Sequence, residues 1–221
     1  MSSDEIAIFP LSNVVLFPGI QAPLHLFEPR YRQMAEHALD GDRRIGMVVV
    51  PPEHAAEMHG DPPVYPIGCA GTIGQSQRLG DGRFNVLLIG THRFRITNET
   101  PRPAGRLFRV AQVEALDDPF DPAEQGRVRE LRERIIGLVA ELVRCAEPER
   151  DEQIRSEIFR GADDVGFVNS LSNVLSFEPP ERQGLLEAAS IPERFERLEG
   201  LLSFRLAQLG SRGAPPTETL H

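Results

Sequence analysis

The chain contains no lysine; all 24 of its basic side chains are arginine. That absence removes whole chemistries. A Walker A loop needs a Lys on the phosphates, a Ser–Lys dyad needs Lys as base, and pyridoxal chemistry needs a Lys Schiff base. Tryptophan is also missing, and aromatics make up 6% of the residues, few for a surface that stacks bases. There are two cysteines, Cys69 and Cys145, far apart in unlike segments, so the expectation is reduced core thiols rather than a disulfide or a metal pair. No apolar run reaches the roughly 18 residues of a membrane span. The acidic opening MSSDEIAIF does not resemble a signal peptide. The expected location is therefore cytoplasmic, with no membrane partner.

Positive charge is in deficit too. The net charge is -9, with 11 Arg against 14 acids in residues 1–118 and 13 Arg against 19 acids in 119–221. Neither half has the surplus that phosphate neutralisation requires. Apolar residues at 40% and charged residues at 26% nonetheless describe an ordinary globular chain. At this length roughly 70% of the unfolded surface can be buried, enough for one large domain or two subdomains.

Residues 6–31, IAIFPLSNVVLFPGIQAPLHLFEPRY, organise the rest. Ile6 to Pro10 alternate as a strand does, and Pro10, Pro18 and Pro23 cut the run into three short strands, because proline cannot donate to a sheet ladder. Pro18-Gly19 predicts a type II turn. Tyr31, Met34, Ala35, Ala38 and Leu39 then mark one face of a helix that starts at Pro29 and is capped by Gly41.

Ile45–Val50 predicts a buried strand, and residues 52–63 a polar loop. Residues 64–79 predict a bent strand whose Gly68, Gly71 and Gly74 mark bulges or corners. Gly80-Asp81-Gly82 is a hairpin turn. Further strands are expected over 84–89, 93–96 and 107–116, with Arg93 and Arg95 facing solvent and Phe94 and Ile96 facing inward. Six or so short strands with glycine corners suggest a small closed or half-closed barrel.

From Asp117 the period becomes helical. Asp121-Pro122 predicts a capped start, and Val128, Leu131, Ile135, Leu138, Leu142 and Val143 one buried face. Shorter helices follow around Ile154, Ile158 and Phe159 and around Val165–Leu175. Pro179-Pro180 restarts a helix through Leu186. Ser190 and Glu193 have capping-box spacing before a last helix through Leu209.

Three blocks carry a family resemblance: FPLSNVVLFPGIQAPLHLFEPRYRQMAEHAL (9–39), GCAGTIGQSQRLGDGRFNVLLIGTHRFRI (68–96) and FVNSLSNVLSFEPPERQGLLEAASIPERFERLEGLL (167–202). Together they resemble the Lon N-terminal domain, the substrate-recognition module of Lon proteases. The resemblance implies an α+β fold, with an N-terminal β-rich pseudo-barrel lobe (PUA-like) carrying one helix, followed by a C-terminal helical bundle lobe. The expected division is 1–118 for the β-rich lobe, 119–210 for the helical lobe and 211–221 for a flexible tail. It also implies a non-enzymatic, ATP-independent module that binds unfolded or exposed peptide segments, or a partner protein, in a cleft between the lobes, in the service of quality control.

Candidate chemistry elsewhere is sparse. His37, His54 and His59 lie near Glu53, Glu57 and Asp61 in sequence, but no HExxH or CxxC spacing joins them, so no metal is expected. Gly68, Gly71 and Gly74 lack the Lys and the helix of a phosphate loop, so no cofactor is expected. Ser12, Ser76, Ser170 and Ser172 lack a nucleophile elbow. A hydrolase would need His54 or His59 to meet a carboxylate in loop 51–63. Asp117 and Asp118 are read as a solvated linker. An RNA-binding barrel would rest on Arg93, Arg95, Arg102, Arg106 and Arg109, with Glu99 and Glu114 interleaved. What remains is an excess of apolar residues in the opening stretch, from which Leu16, Phe17, Ile20, Leu24, Phe27 and, further on, Phe94 are the candidates for contact with a peptide.

Overall fold

The computed structural model describes residues 4–146 and 163–212. In chain order these form β1 (Asp4–Leu11), β2 (Gln21–Leu26), α1 (Pro29–Asp40), β3 (Arg44–Val49), β4 (Ile67–Arg78), β5 (Phe84–Glu99), β6 (Arg109–Leu116), α2 (Gln125–Ala146), α3 (Asp164–Val174), α4 (Pro179–Leu186) and α5 (Ile191–Arg212). The fold is mixed α+β. The chain divides into two compact units, one of Met1–Asp118 with Leu175–Glu187, the other of Pro119–Val174 with Ala188–His221. Helix α4 thus leaves the helical run and joins the strands.

In the first unit all six strands form one sheet in the order β2-β5-β4-β3-β1-β6, and β6 pairs back onto β5. Strands β1, β3, β4, β5 and β6 therefore make a closed ring, which leaves β2 attached to β5 alone. The β1–β3 pair is parallel, with Ile8 opposite Gly46, and the chain crosses between them through β2 and α1. The other pairs are antiparallel. Closure removes most of the free edge that a sheet otherwise exposes.

The ring interior is filled by Ile6, Ile8, Val48, Ala70, Phe94, Ala111 and Val113. Phe94 is fully buried, and two glycines make room for it. A Cβ on Gly46 would lie 2.9 Å from Phe94 Cζ, and one on Gly68 2.7 Å from the same atom and 2.5 Å from the Met47 carbonyl oxygen. The absent side chains on β3 and β4 are thus the complement of the ring on β5.

Several local expectations match the structure. Pro18-Gly19 turns with Gly19 at φ +81° and Ile20 N–H donating to Phe17 O at 3.1 Å. Gly82 has φ +81° in the β4–β5 hairpin. The β4–β5 register shifts at Ala70/Gly71 and again across Gly74. Pro10 pairs with Val48 of β3, while β6 parts from β1 after Ile8, so the missing N–H has no ladder to interrupt on that side.

Other expectations need correction. Val14–Phe17 is not a strand; Val15, Leu16 and Phe17 are buried as irregular chain. The strands expected at 84–89 and 93–96 are one 16-residue strand running through Gly90. Gly90 is needed there because the backbone of Phe17 crosses directly above it, and Gly90 N–H donates to Ile20 O at 2.8 Å. Arg93 does not face solvent: it is 2% exposed and ion-paired to Asp118 at 2.8 Å. Asp118 is accordingly half-buried rather than part of a solvated linker. Gly41 does cap α1, its N–H donating to Ala38 O at 3.2 Å, and the left-handed residue comes two positions later, at Arg43 with φ +64°.

In the second unit α2 and α5 run side by side in the same direction, joined by ion pairs Arg127–Glu196 and Arg134–Glu199. Asp121 caps a short 3-10 turn that leads into α2, accepting from Ala123 N–H at 2.9 Å. Helix α3 lies against α5 through the stacked rings of Phe167 and Phe195, 5.8 Å apart, and Arg194 is wholly buried with its guanidinium on Asn169 Oδ1 at 2.7 Å. The expected helix around Ile154, Ile158 and Phe159 lies outside the described residues. So do residues 213–221 of the expected tail, whereas 211 and 212 end α5.

At the rim of the ring, Arg44 of β3 bonds both Asp4 and Asp42. The Arg44 hydrogen bond holds the Asp4 carboxyl below its ordinary 3.8. At Asp42, burial pushes upward, but the bonds from Arg44 side chain and backbone outweigh it.

Two measurements test this packing. Gly46→Ala should cost about 1–3 kcal/mol by overpacking. Phe94→Leu should recover part of that cost, so that the double variant in urea unfolding is less destabilised than the sum of the singles. Arg44→Met should lower stability at pH 7 by no more than about 1 kcal/mol, because the pairs are solvent-exposed. Both carboxyls have depressed folded pKa values, so this contribution is present above pH 3.8 and lost as pH falls through the folded values; variant and parent should converge under strong acid.

Candidate functional site

Strand β2 has one neighbour, β5, which in turn pairs with β4, so the outer end of the sheet is a three-strand platform. The register places Pro23 beside Leu87 and Gln75, Leu24 beside Val86 and Ser76, and His25 beside Asn85 and Gln77. These nine residues line a groove of about 480 Å³. Its walls are a three-by-three block of the sheet, apolar at Pro23, Leu24 and Leu87 and polar along Gln75, Ser76 and Gln77 of β4 and at His25 and Asn85, while Val86 is 4% exposed and belongs to the core. No carboxylate or guanidinium lines it, in a chain of net charge -9.

The polar end is held by short bonds. His25 Nδ1 lies 2.7 Å from Asn85 Oδ1, and the His25 ring stacks on Phe27 with centroids 6.1 Å apart. Arg83 reaches His25 Nε2 at 3.2 Å and is itself paired with Asp81 at 2.6 Å. A guanidinium can only donate, so Nε2 accepts and Nδ1 carries the proton given to Asn85. Phe27 is 58% exposed, a large apolar ring next to the groove. The hydrogen bond from Gly90 N–H to Ile20 O fixes the phase of the β2–β5 ladder. By alternation, the backbone groups of Gln21, Pro23 and His25 point to the free edge, where Pro23 supplies no donor. A guest strand could pair there only in part, so the platform offers side-chain contacts more readily than an added strand.

The six apolar candidates fall into two groups. Leu16, Phe17 and Phe94 are 2%, 0% and 0% exposed and present nothing to a guest chain. Leu24 lines the groove, Phe27 stands beside its His25, and Ile20 is half-buried just before β2. Leu87 was not among the candidates. Its place in a strand was visible, but the pairing that sets it beside Pro23 joins residues more than sixty positions apart.

The other candidate groups do not converge. His37 is exposed and stacks on Phe108 at 5.1 Å, His54 bonds Glu57 at 2.8 Å, and His59 is exposed. Among the described residues no group of three or more His, Cys, Asp or Glu could hold a metal ion. Of the arginines weighed for RNA, Arg93 is buried, Arg102 pairs with Asp61 at 2.6 Å, Arg109 pairs with Glu99, and Arg106 bonds the Pro101 carbonyl at 3.0 Å. Of these five, Arg95 alone is exposed with no carboxylate partner among the described residues, too little for a phosphate-tracking face.

A family profile described as the ATP-dependent protease La (LON) substrate-binding domain matches residues 5–203. The chain belongs to the Lon substrate-binding domain family. Curated relatives include the Lon protease of Brucella suis biovar 1 (strain 1330), 26% identical over 208 residues that make up 92% of this chain and 24% of that protein. The Lon protease of Escherichia coli K12 is 26% identical over 204 residues, 90% of this chain and 24% of that one. The chain thus spans about a quarter of the length of the curated relatives it matches.

Solved structures agree on the fold. The N-terminal domain of Mycobacterium avium complex Lon protease superposes with a TM-score of 0.70 at 13% identity, covering 90% of this chain and 98% of that one. A Lon N-terminal domain protein from Xanthomonas campestris gives 0.58 at 22% identity, covering 91% and 98%. No described helix is long and apolar enough to cross a membrane.

This geometry sets an expectation for stability. Phe27→Ser removes a ring that is mostly in water already, so it should shift the thermal midpoint little, whereas Phe94→Ala should cost about 3–5 kcal/mol. Differential scanning calorimetry of the two variants distinguishes a surface ring from a core ring.

Proposed function

We propose that this member of the Lon substrate-binding family is a recognition module that holds exposed, uncharged apolar segments of unfolded protein in the groove across β2, β5 and β4. The observation that supports it is a groove lined by no carboxylate or guanidinium, apolar at Pro23, Leu24 and Leu87, with the exposed ring of Phe27 at its side. Apolar side chains entering such a groove gain by leaving water and need no fixed sequence, and the amide-bearing end can satisfy peptide groups that come with them. Family membership supports protein as the substrate class at the same coarse level.

The module recognises and does no chemistry itself. Its residues hold no lysine for a Walker loop or a Ser–Lys dyad, and the region of the relatives that it matches is the substrate-binding domain. It works in the cytoplasm as part of protein quality control, drawing on no ATP of its own.

The test is fluorescence anisotropy with labelled, permanently unfolded apolar peptides. Leu24→Asp and Leu87→Asp should each weaken binding about tenfold, or 1.4 kcal/mol, by putting an unpaired charge in the groove. Phe27→Ser should weaken it less. Affinity should change little with salt, since no charged side chain lines the site. Equal binding by parent and both Asp variants, or no binding of any unfolded peptide at high micromolar protein, sinks the proposal.

A further inference from the structure

The chain leaves the first unit at Asp118, returns at Leu175 and leaves again at Glu187. Both departures meet at one side chain. Arg93, on β5 and 2% exposed, gives Nη1 to Leu186 O at 2.9 Å, Nη2 to Asp117 O at 2.7 Å, and pairs with Asp118 Oδ1 at 2.8 Å. No strand pairing holds α4 to the ring. Its polar attachments include Arg93 at one end and, a turn earlier, the buried Gln183, whose Nε2 donates to Ile67 O of β4 at 2.9 Å and to Glu187 Oε1 at 2.8 Å. The point of return is tied within the same segment, by Arg182 Nη2 on Leu175 O at 3.0 Å.

We infer that Arg93 is a latch that couples the docking of α4 to the exit at Asp117–Asp118, so that the two segments hold the barrel or release it together. The reason is electrostatic. A buried guanidinium must keep its oxygen partners, and each partner lost leaves it less well solvated and raises the cost of keeping the rest in place. Asp118 supplies the negative charge that makes burial of Arg93 tolerable. Leu186 O and Asp117 O add an acceptor from each exit. Asp118 therefore stabilises α4 through Arg93, and Gln183, by holding α4 on the ring, stabilises the Asp117–Asp118 exit through the same side chain. Within the fold Arg93 is a positioning residue, and α4 is a strap held by a polar fastening rather than by a ladder.

Hydrogen exchange read by mass spectrometry on the full chain tests the coupling. In Asp118→Asn, exchange should quicken not only over 115–118 but also over 183–187, each by about tenfold, the scale of one hydrogen bond to a charged group. In Gln183→Met the same two segments should respond. Arg93→Met should raise both further and expose the Arg182–Gln183 bond to trypsin, with β1 and β3 amides unchanged. The inference fails if Asp118→Asn and Gln183→Met each loosen only their own segment. It fails equally if the β1 and β3 amides quicken in step with α4, which would mean general destabilisation. The two milder variants decide the question even where Arg93→Met does not fold.

Discussion

Strand β5 is paired on both of its edges over most of its length, and the rest of the first unit depends on that. One edge follows β4 from Phe84 to Arg95. The other serves β2 over its first half and β6 over its second. Only the second half closes the ring, and it does so around Phe94, whose ring occupies the space that Gly46 and Gly68 leave empty. The first half stands clear of the closed part and forms the platform with β2 and β4. Ring and groove are two ends of the same strand.

The absence of lysine has a structural side as well as a chemical one. Arginine presents several donors in a planar fork, so a single side chain can gather oxygens from different segments. Arg93 does this beneath α4 and Arg44 at the ring's rim. Arginines engaged in this way are not available to a nucleic-acid backbone, which agrees with the acidic balance of the chain.

Against that background the groove differs from its surroundings. Two other surface pockets of the first unit carry charged residues in their walls, Glu5, Asp42 and Arg44 in one and Glu28, Arg30, Asp61 and Arg102 in the other. The β2–β5–β4 groove has none. A site without formal charge discriminates by shape and apolar area, as the proposed recognition of exposed apolar segments requires. Pro23 at the free edge acts in the same direction, because it discourages indiscriminate strand addition while leaving the face accessible.

What the sequence determined by itself was local or periodic. Pro18-Gly19 and Gly82 turn where their torsions require it, Pro29 starts α1, Gly71 and Gly74 mark the irregularities of β4, and the apolar period of α2 places Val128, Leu131 and Ile135 inward. These follow from the few residues on either side, and the blocks resembling the Lon family were legible for the same reason. Tertiary structure alone decided the rest. Val14–Phe17 looks like a strand but finds no partner, so it is buried as irregular chain over Gly90. Arg93 looks solvent-facing by alternation until α4, ninety residues later, covers it. Leu16, Phe17 and Phe94 look as free to meet a guest as Leu24 and Phe27 do. Alternation gives the two faces of a strand, but which face meets water depends on non-local pairing, and that is settled only when distant segments come together.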